Sequence, residues 1–158
     1  SNTGPFIYDD GNNNNNNTGV NHTAKEYAAV ELQKMSSYIN VVYSDRFMTT
    51  GNARVAGFLE QQGRSQDNQP MKMVDIYRQD AISFKRNFAQ SQIVRVLGAN
   101  NPKVRAINSR INSLQQALES FRSASSRSAK EAAVRRIKQA ANNLRQANVA
   151  LNQELRAA

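Results

Sequence analysis

A run of apolar residues in the last third of the chain, spaced alternately three and four residues apart, is the feature that most constrains the fold. The six positions are Val104, Ile107, Ile111, Leu114, Leu118 and Phe121. At 3.6 residues per turn they share one stripe, which is typical of a helix that buries one face. Asn101 can cap this helix, and Pro102 suits its first turn because the N–H that proline lacks would be unpaired there. The small polar run at 123–126 predicts its end.

A second helix is predicted to follow, starting at Ser128. The Ser128 hydroxyl and the Glu131 carboxylate have the spacing of a capping box, in which each side chain bonds the other's backbone N–H. The apolar line of this helix is Val134, Ile137, Ala141, Leu144, Leu151 and Leu155. This line and the preceding one do not share a register, so 102–158 is predicted to form a helical hairpin and not one continuous coiled coil.

Asn148 occupies the position in the second apolar line where a core residue is expected. A single Asn in an apolar seam costs stability and often fixes register or partner choice. The alternative is an Asn that faces solvent at a splayed end of the hairpin. We include Asn148 among the predicted assembly contacts.

The positive charge is concentrated in this hairpin. The chain has a net charge of +9, and residues 98–158 hold eleven Lys or Arg against three acids, or +8. At about 100° per residue, four cations of the last helix project within about 20° of one another. We call these four the basic stripe: Arg127, Lys138, Arg145 and Arg156. The further candidate phosphate contacts are Arg135, Arg136, Lys103, Arg105 and Arg110.

The alternative explanation of the stripe is a solvated helix face whose long stems cover apolar neighbours. Such faces normally mix both signs in pairs one turn apart, whereas this helix has few acids. The chain also contains 20 Asn and 13 Gln. A basic, amide-rich composition suits contact with an acidic polymer, so nucleic acid is the first expected partner.

Residues 1–22 are predicted to be an extended arm. They contain glycines, a proline and an unbroken run of six Asn, and they have no helical periodicity. Phe6, Ile7 and Tyr8 are large apolar residues in this polar context. We expect them to anchor the arm on a neighbouring subunit, and the alternative is that the arm folds back on its own core.

The region between the arm and the hairpin is predicted to be helical, which makes 23–158 a single all-α domain. Thr23 and Glu26 form a capping box before an apolar line at Ala28, Leu32, Met35, Ile39 and Val42. A short helix is predicted around Val55, Phe58 and Leu59, closed by Gly63. A third long helix is predicted from Pro70 to Leu97 with buried positions at Val74, Tyr77, Ala81, Phe84 and Phe88. Its last five residues have strand propensity and are assigned to a frayed helix end. The predicted fold is a bundle of four main helices plus one short helix.

No residue pattern predicts catalysis, a metal site or a cofactor. The chain has no Cys and one His, His22, which precedes a helix cap and lacks the rigid neighbours that a catalytic imidazole needs. Asp9 and Asp10 suggest a calcium loop, but the Gly and the bidentate Glu of that loop are missing. A small-molecule substrate is not predicted. No apolar run is long enough to cross a membrane, and a membrane partner is not expected.

These features predict a non-enzymatic structural protein that self-assembles and contacts nucleic-acid phosphates through basic helices. A capsid, nucleocapsid or virion-core subunit has these properties, and a virion or the cytoplasm is the favoured location. Phosphate contacts respond to charge and not to base sequence, so the expected binding is non-specific. The alternative is a helical scaffold or adaptor of a protein assembly, such as a secretion apparatus, that binds partner helices without nucleic acid.

Overall fold

A computed structural model of the chain describes residues 23–45 and 69–158, which form five helices with no strand among them. The helices are α1 (Ala24–Ser44), α2 (Gln69–Ala89), α3 (Gln92–Leu97), α4 (Pro102–Ser123) and α5 (Arg127–Ala157). The four long helices confirm the predicted all-α bundle. The predicted arm at 1–22 and the predicted short helix around Val55 lie outside the described residues.

Two helix starts form as the sequence predicts. At α1, the Glu26 N–H donates to Thr23 Oγ1 (3.2 Å), and the Thr23 N–H donates to Glu26 Oε1 (2.9 Å), which completes a capping box. At α4, the Lys103 N–H donates to the Asn101 side-chain oxygen (2.8 Å), and Pro102 occupies the first turn. These side chains satisfy donors that a helix leaves unpaired at its start.

The third predicted helix is divided into two, contrary to expectation. Helix α2 ends at Ala89, and α3 begins after Ser91, whose hydroxyl accepts the Val94 N–H (3.3 Å). The buried Glu31 carboxylate of α1 accepts the Gln92 and Ile93 N–H groups, both at 3.1 Å. Because Ser91 and Glu31 satisfy the donors of a new helix start, residues 92–97 form a separate helix and not a frayed end. Gly98 ends α3 with a φ of 94°, a conformation that glycine tolerates best.

The predicted start of the last helix at Ser128 is wrong. Ser126 is the cap, and its hydroxyl accepts the Ala129 N–H (3.1 Å). Glu131 therefore does not complete a capping box and forms an ion pair with Arg127 instead (3.4 Å). The turn that joins α4 and α5 is only 124–126, which makes the predicted helical hairpin tight.

Helix α1 runs antiparallel to the C-terminal two-thirds of α5. Near the start of α1, the Lys25 ammonium donates to the Ala158 carbonyl (2.7 Å). Further along, Asn148 Nδ2 donates to Ser36 Oγ (2.8 Å). The alternative in which Asn148 faces solvent is excluded, because this residue is 5% exposed.

Helices α2 and α4 form the other side of the bundle. Asp75, early in α2, pairs with Arg122 at the end of α4 (3.0 Å), so these helices are also antiparallel. Helix α1 contacts α2 through Tyr38, whose hydroxyl donates to the Tyr77 carbonyl (3.0 Å). The Tyr77 hydroxyl donates to Asp45, and burial raises the pKa of both tyrosines well above the usual range. The four long helices therefore alternate in direction around one core.

The core contains every residue of the four predicted apolar lines. The six seam residues of α4 are at most 1% exposed. Phe84 and Phe88 of α2 are fully buried, and Phe84 lies 5.6 Å from the Tyr38 ring. Burying a Phe or Leu side chain stabilises a fold by roughly 1.5–3 kcal/mol, so these lines dominate the stability of the bundle. None of the five described helices is long and apolar enough to span a lipid bilayer.

Candidate nucleic-acid interface

The positive charge on α4 and α5 is largely unpaired. These two helices carry eleven cations and three glutamates. Arg122 pairs with Asp75 and, at 3.7 Å, with Glu119, and Arg127 pairs with Glu131. None of the other nine cations lies within ion-pair distance of a carboxylate among the described residues. The hairpin therefore presents a concentrated positive field.

The middle of the basic stripe is built around Tyr43 of α1. The Lys138 ammonium and the Arg145 guanidinium each lie 4.3 Å from the centroid of the Tyr43 ring. Lys138 also donates to the Tyr43 carbonyl (2.5 Å), and Arg145 donates to the Asn142 side-chain oxygen (2.9 Å). Cation–π contacts of this kind contribute about 0.5–1 kcal/mol each at exposed sites. Lys138 is half-buried and holds α5 against α1, whereas Arg145 is exposed and remains accessible.

The two ends of the basic stripe differ. Arg127 is exposed, but its guanidinium is held by Glu131 one turn along α5. Arg156 is exposed and lies beside a groove between α1 and α5. At about 1.5 Å per residue, the stripe extends roughly 43 Å from Arg127 to Arg156. Arg145 and Arg156 are therefore the stripe residues best placed to bind an external phosphate.

The remaining predicted phosphate contacts do not lie on the same helix face as the basic stripe. Arg135 lines a shallow pocket of about 290 Å³ beside Tyr43. Arg136 is exposed and, at about 100° per residue, projects roughly opposite the stripe. On α4, Lys103, Arg105 and Arg110 are all exposed. The same periodicity places Lys103 and Arg110 on one side of the helix and Arg105 on the other.

Sequence reasoning missed two residues that shape the charged surface. Tyr43 is separated from its cations by about a hundred positions, and no local pattern links them. Lys130 donates to the Phe121 carbonyl at the end of α4 (3.0 Å) and lies 4.6 Å from the Phe121 ring. Burial lowers the pKa of Lys130. A lysine soon after a helix end could have been recognised, because the last helical carbonyls need donors.

The groove between α1 and α5 combines apolar and basic residues. The volume of this open groove is about 740 Å³. Val30 and Val149 line it and are 42% and 55% exposed. Lys25 and Arg156 add positive charge, and the Oδ1 atom of Asn148 is buried with no hydrogen-bond partner. Such a surface suits a partner that offers apolar side chains and acids.

Comparison of the chain with protein-family models, curated proteins and solved structures found no match.

Proposed function

We propose that this chain is a non-enzymatic structural protein that self-assembles and binds the phosphate backbone of nucleic acid through α4 and α5. The observation that carries this proposal is the surplus of cations on these helices, nine of which contact no described carboxylate. Concentrated like charges repel one another and destabilise a folded protein. A polyanion relieves that repulsion and releases its own counterions on binding.

Charge alone does not provide base specificity, so the proposed binding along the basic stripe is independent of sequence. Arg145 and Arg156 provide exposed guanidinium groups that can contact phosphate oxygens in a bidentate manner. They lie 11 residues apart on α5, which corresponds to about 16 Å. Successive phosphates of one B-form strand are about 3.4 Å apart along the axis, so both arginines can contact the same duplex.

Assembly is proposed to use the groove between α1 and α5. The proposed occupant is the segment 6–10 of a neighbouring copy, which lies outside the described residues. Its sequence places Phe6, Ile7 and Tyr8 directly before Asp9 and Asp10. The three apolar residues suit the exposed valines of the groove, and the two acids suit its lysine and arginine.

The test of phosphate binding is fluorescence anisotropy with labelled duplex and single-stranded oligonucleotides across about 50–300 mM salt. Particle size is followed in the same samples by light scattering. We expect affinity to fall steeply with salt and particles to grow when nucleic acid is added. Weak, salt-insensitive binding by stable oligomers would refute the nucleic-acid role and favour a helical scaffold that binds protein partners.

The test of assembly is deletion of residues 1–22. We expect the deleted chain to keep its helicity, because the apolar lines of α1, α2, α4 and α5 pack against one another, but to form smaller particles. A second variant replaces only Asp9 and Asp10 with Asn, and it should reduce particle size less than the deletion does. If the deletion leaves particle size unchanged at every protein concentration, the arm is not an assembly contact.

A further inference from the structure

The groove between α2 and α4 has a different chemistry from the basic stripe. Its volume is about 470 Å³, and it is lined by Arg78, Lys85, Asn112, Gln115, Gln116 and Glu119. Two cations form the α2 wall, and three neutral amides form most of the α4 wall. None of these six residues belongs to the predicted phosphate contacts.

Arg78 is the anchor of this groove. The side chain is half-buried, and its Nε atom is buried without a hydrogen-bond partner. The whole guanidinium makes no hydrogen bond or ion pair with any described residue. A buried N–H that gains no acceptor is costly to the folded chain. Arg78 also lines the groove, where an external oxyanion could bind the guanidinium.

Lys85 and the amides extend the site along the groove. Lys85 follows Arg78 by seven residues on the same face of α2, which corresponds to about 10 Å along the axis. Asn112, Gln115 and Gln116 lie on one face of α4, and their side chains form no hydrogen bond with any described residue. Amide side chains pair with the edges of bases, most favourably with adenine.

Glu119 limits where an anion can bind. It lines the groove and is 3.7 Å from Arg122, which also binds Asp75. The negative charge of Glu119 is therefore partly balanced by an arginine outside the groove. An oxyanion between Arg78 and Lys85 would face two cations, and a strand following the groove would pass the amides.

We propose that the groove between α2 and α4 binds single-stranded nucleic acid, with phosphates on Arg78 and Lys85 and base edges on Asn112, Gln115 and Gln116. This proposal rests on the proposed function and deepens it, because it specifies an unpaired strand. The Watson–Crick edges of paired bases are occupied by the partner strand, whereas an unpaired strand exposes them to the groove amides. No aromatic side chain among the described residues lines the groove. The preference for a single strand would therefore come from hydrogen bonds to the amides and not from base stacking.

The test compares the affinities of a labelled A-rich single strand and of a duplex of the same length. The variant replaces Asn112, Gln115 and Gln116 with Ala. Its matched control replaces Gln139, Gln146 and Gln153 with Ala, three exposed amides of α5. We expect the groove variant to lose about tenfold in single-strand affinity, equivalent to one bidentate base contact. Duplex affinity should be unchanged, and the control should behave as the wild type.

A second measurement follows the Arg78 side chain directly. In a ¹⁵N-labelled sample, the Nε–Hε signal of Arg78, assigned through Arg78→Lys, should shift when a six-nucleotide single strand is added. An unshifted signal at saturation, or equal losses on single strand and duplex in the groove variant, would overturn the proposal. Such results leave salt-dependent duplex binding intact, whereas failure of the proposed function abolishes binding of both nucleic acids.

Discussion

Replacing Arg145 and Arg156 with Gln should make nucleic-acid binding markedly less dependent on salt. On duplex DNA each phosphate contact contributes about −0.9 to the slope of log K against log salt, so losing two contacts should reduce the slope by about 1.8. The other half of the basic stripe should matter less. Glu131 holds Arg127, and the Tyr43 carbonyl holds Lys138, so replacing both with Gln should reduce the slope by less than about 0.9.

The assay is anisotropy with a labelled duplex at salt concentrations from about 50 to 300 mM. The control replaces Arg86 and Arg95 with Gln, which removes the same charge from exposed positions on α2 and α3. Circular dichroism should show wild-type helicity in every variant. Equal slope changes in all three double variants would mean that binding follows net charge alone. An unchanged slope in Arg145→Gln/Arg156→Gln would refute the role of the stripe.

Three further predictions concern the described fold, and urea unfolding tests each of them. Glu31→Gln should lower the free energy of unfolding by about 2 kcal/mol, because the carboxylate accepts two N–H groups at the start of α3; Glu119→Gln, an exposed control, should change it little. Asn148→Leu should raise it by about 1 kcal/mol, because removing a buried, unpartnered amide oxygen outweighs losing the hydrogen bond to Ser36, and a loss of stability would contradict this. Burial raises the pKa of Asp80, so the wild type loses stability as pH rises through that pKa. Asp80→Asn should therefore raise the free energy of unfolding toward neutral pH and leave it unchanged in acid. A rise that is independent of pH would show that the Asp80 carboxylate is not its cause.

Periodicity predicted the long helices because each one buries a single continuous stripe. The α4 line from Val104 to Phe121 has no interruption, and all of it lies in the core. Breaks and caps were predicted less well because they depend on distant or competing groups. The end of α2 is followed by a new helix because Glu31, about sixty residues earlier, supplies acceptors. Ser126 and Ser128 have similar local capping chemistry, and the sequence does not show which one closes the turn.

The charged surface was only partly predictable. Helix periodicity predicts that the four cations of the basic stripe project in similar directions, and all four lie on α5. What each cation contacts depends on the neighbouring helix. Tyr43 engages Lys138 and Arg145 because α1 runs antiparallel to α5, which no local pattern reveals. The unpaired Arg78 likewise becomes visible only once α4 covers one side of α2.

Arg156 links the two parts of the proposed function. It belongs to the basic stripe and also lines the groove between α1 and α5. That groove is proposed to receive Asp9 and Asp10 of the arm. If Asp9 and Asp10 of a neighbouring copy occupied that groove, Arg156 would be neutralised and fewer phosphates could be bound. Because coupling between two ligands is reciprocal, nucleic acid bound at Arg156 would weaken arm docking by the same factor. In the proposed scheme the arm and phosphate would therefore compete for Arg156 alone. Arg145, which does not line the groove, would bind phosphate in both states, so nucleic acid could still bring particles together through Arg145.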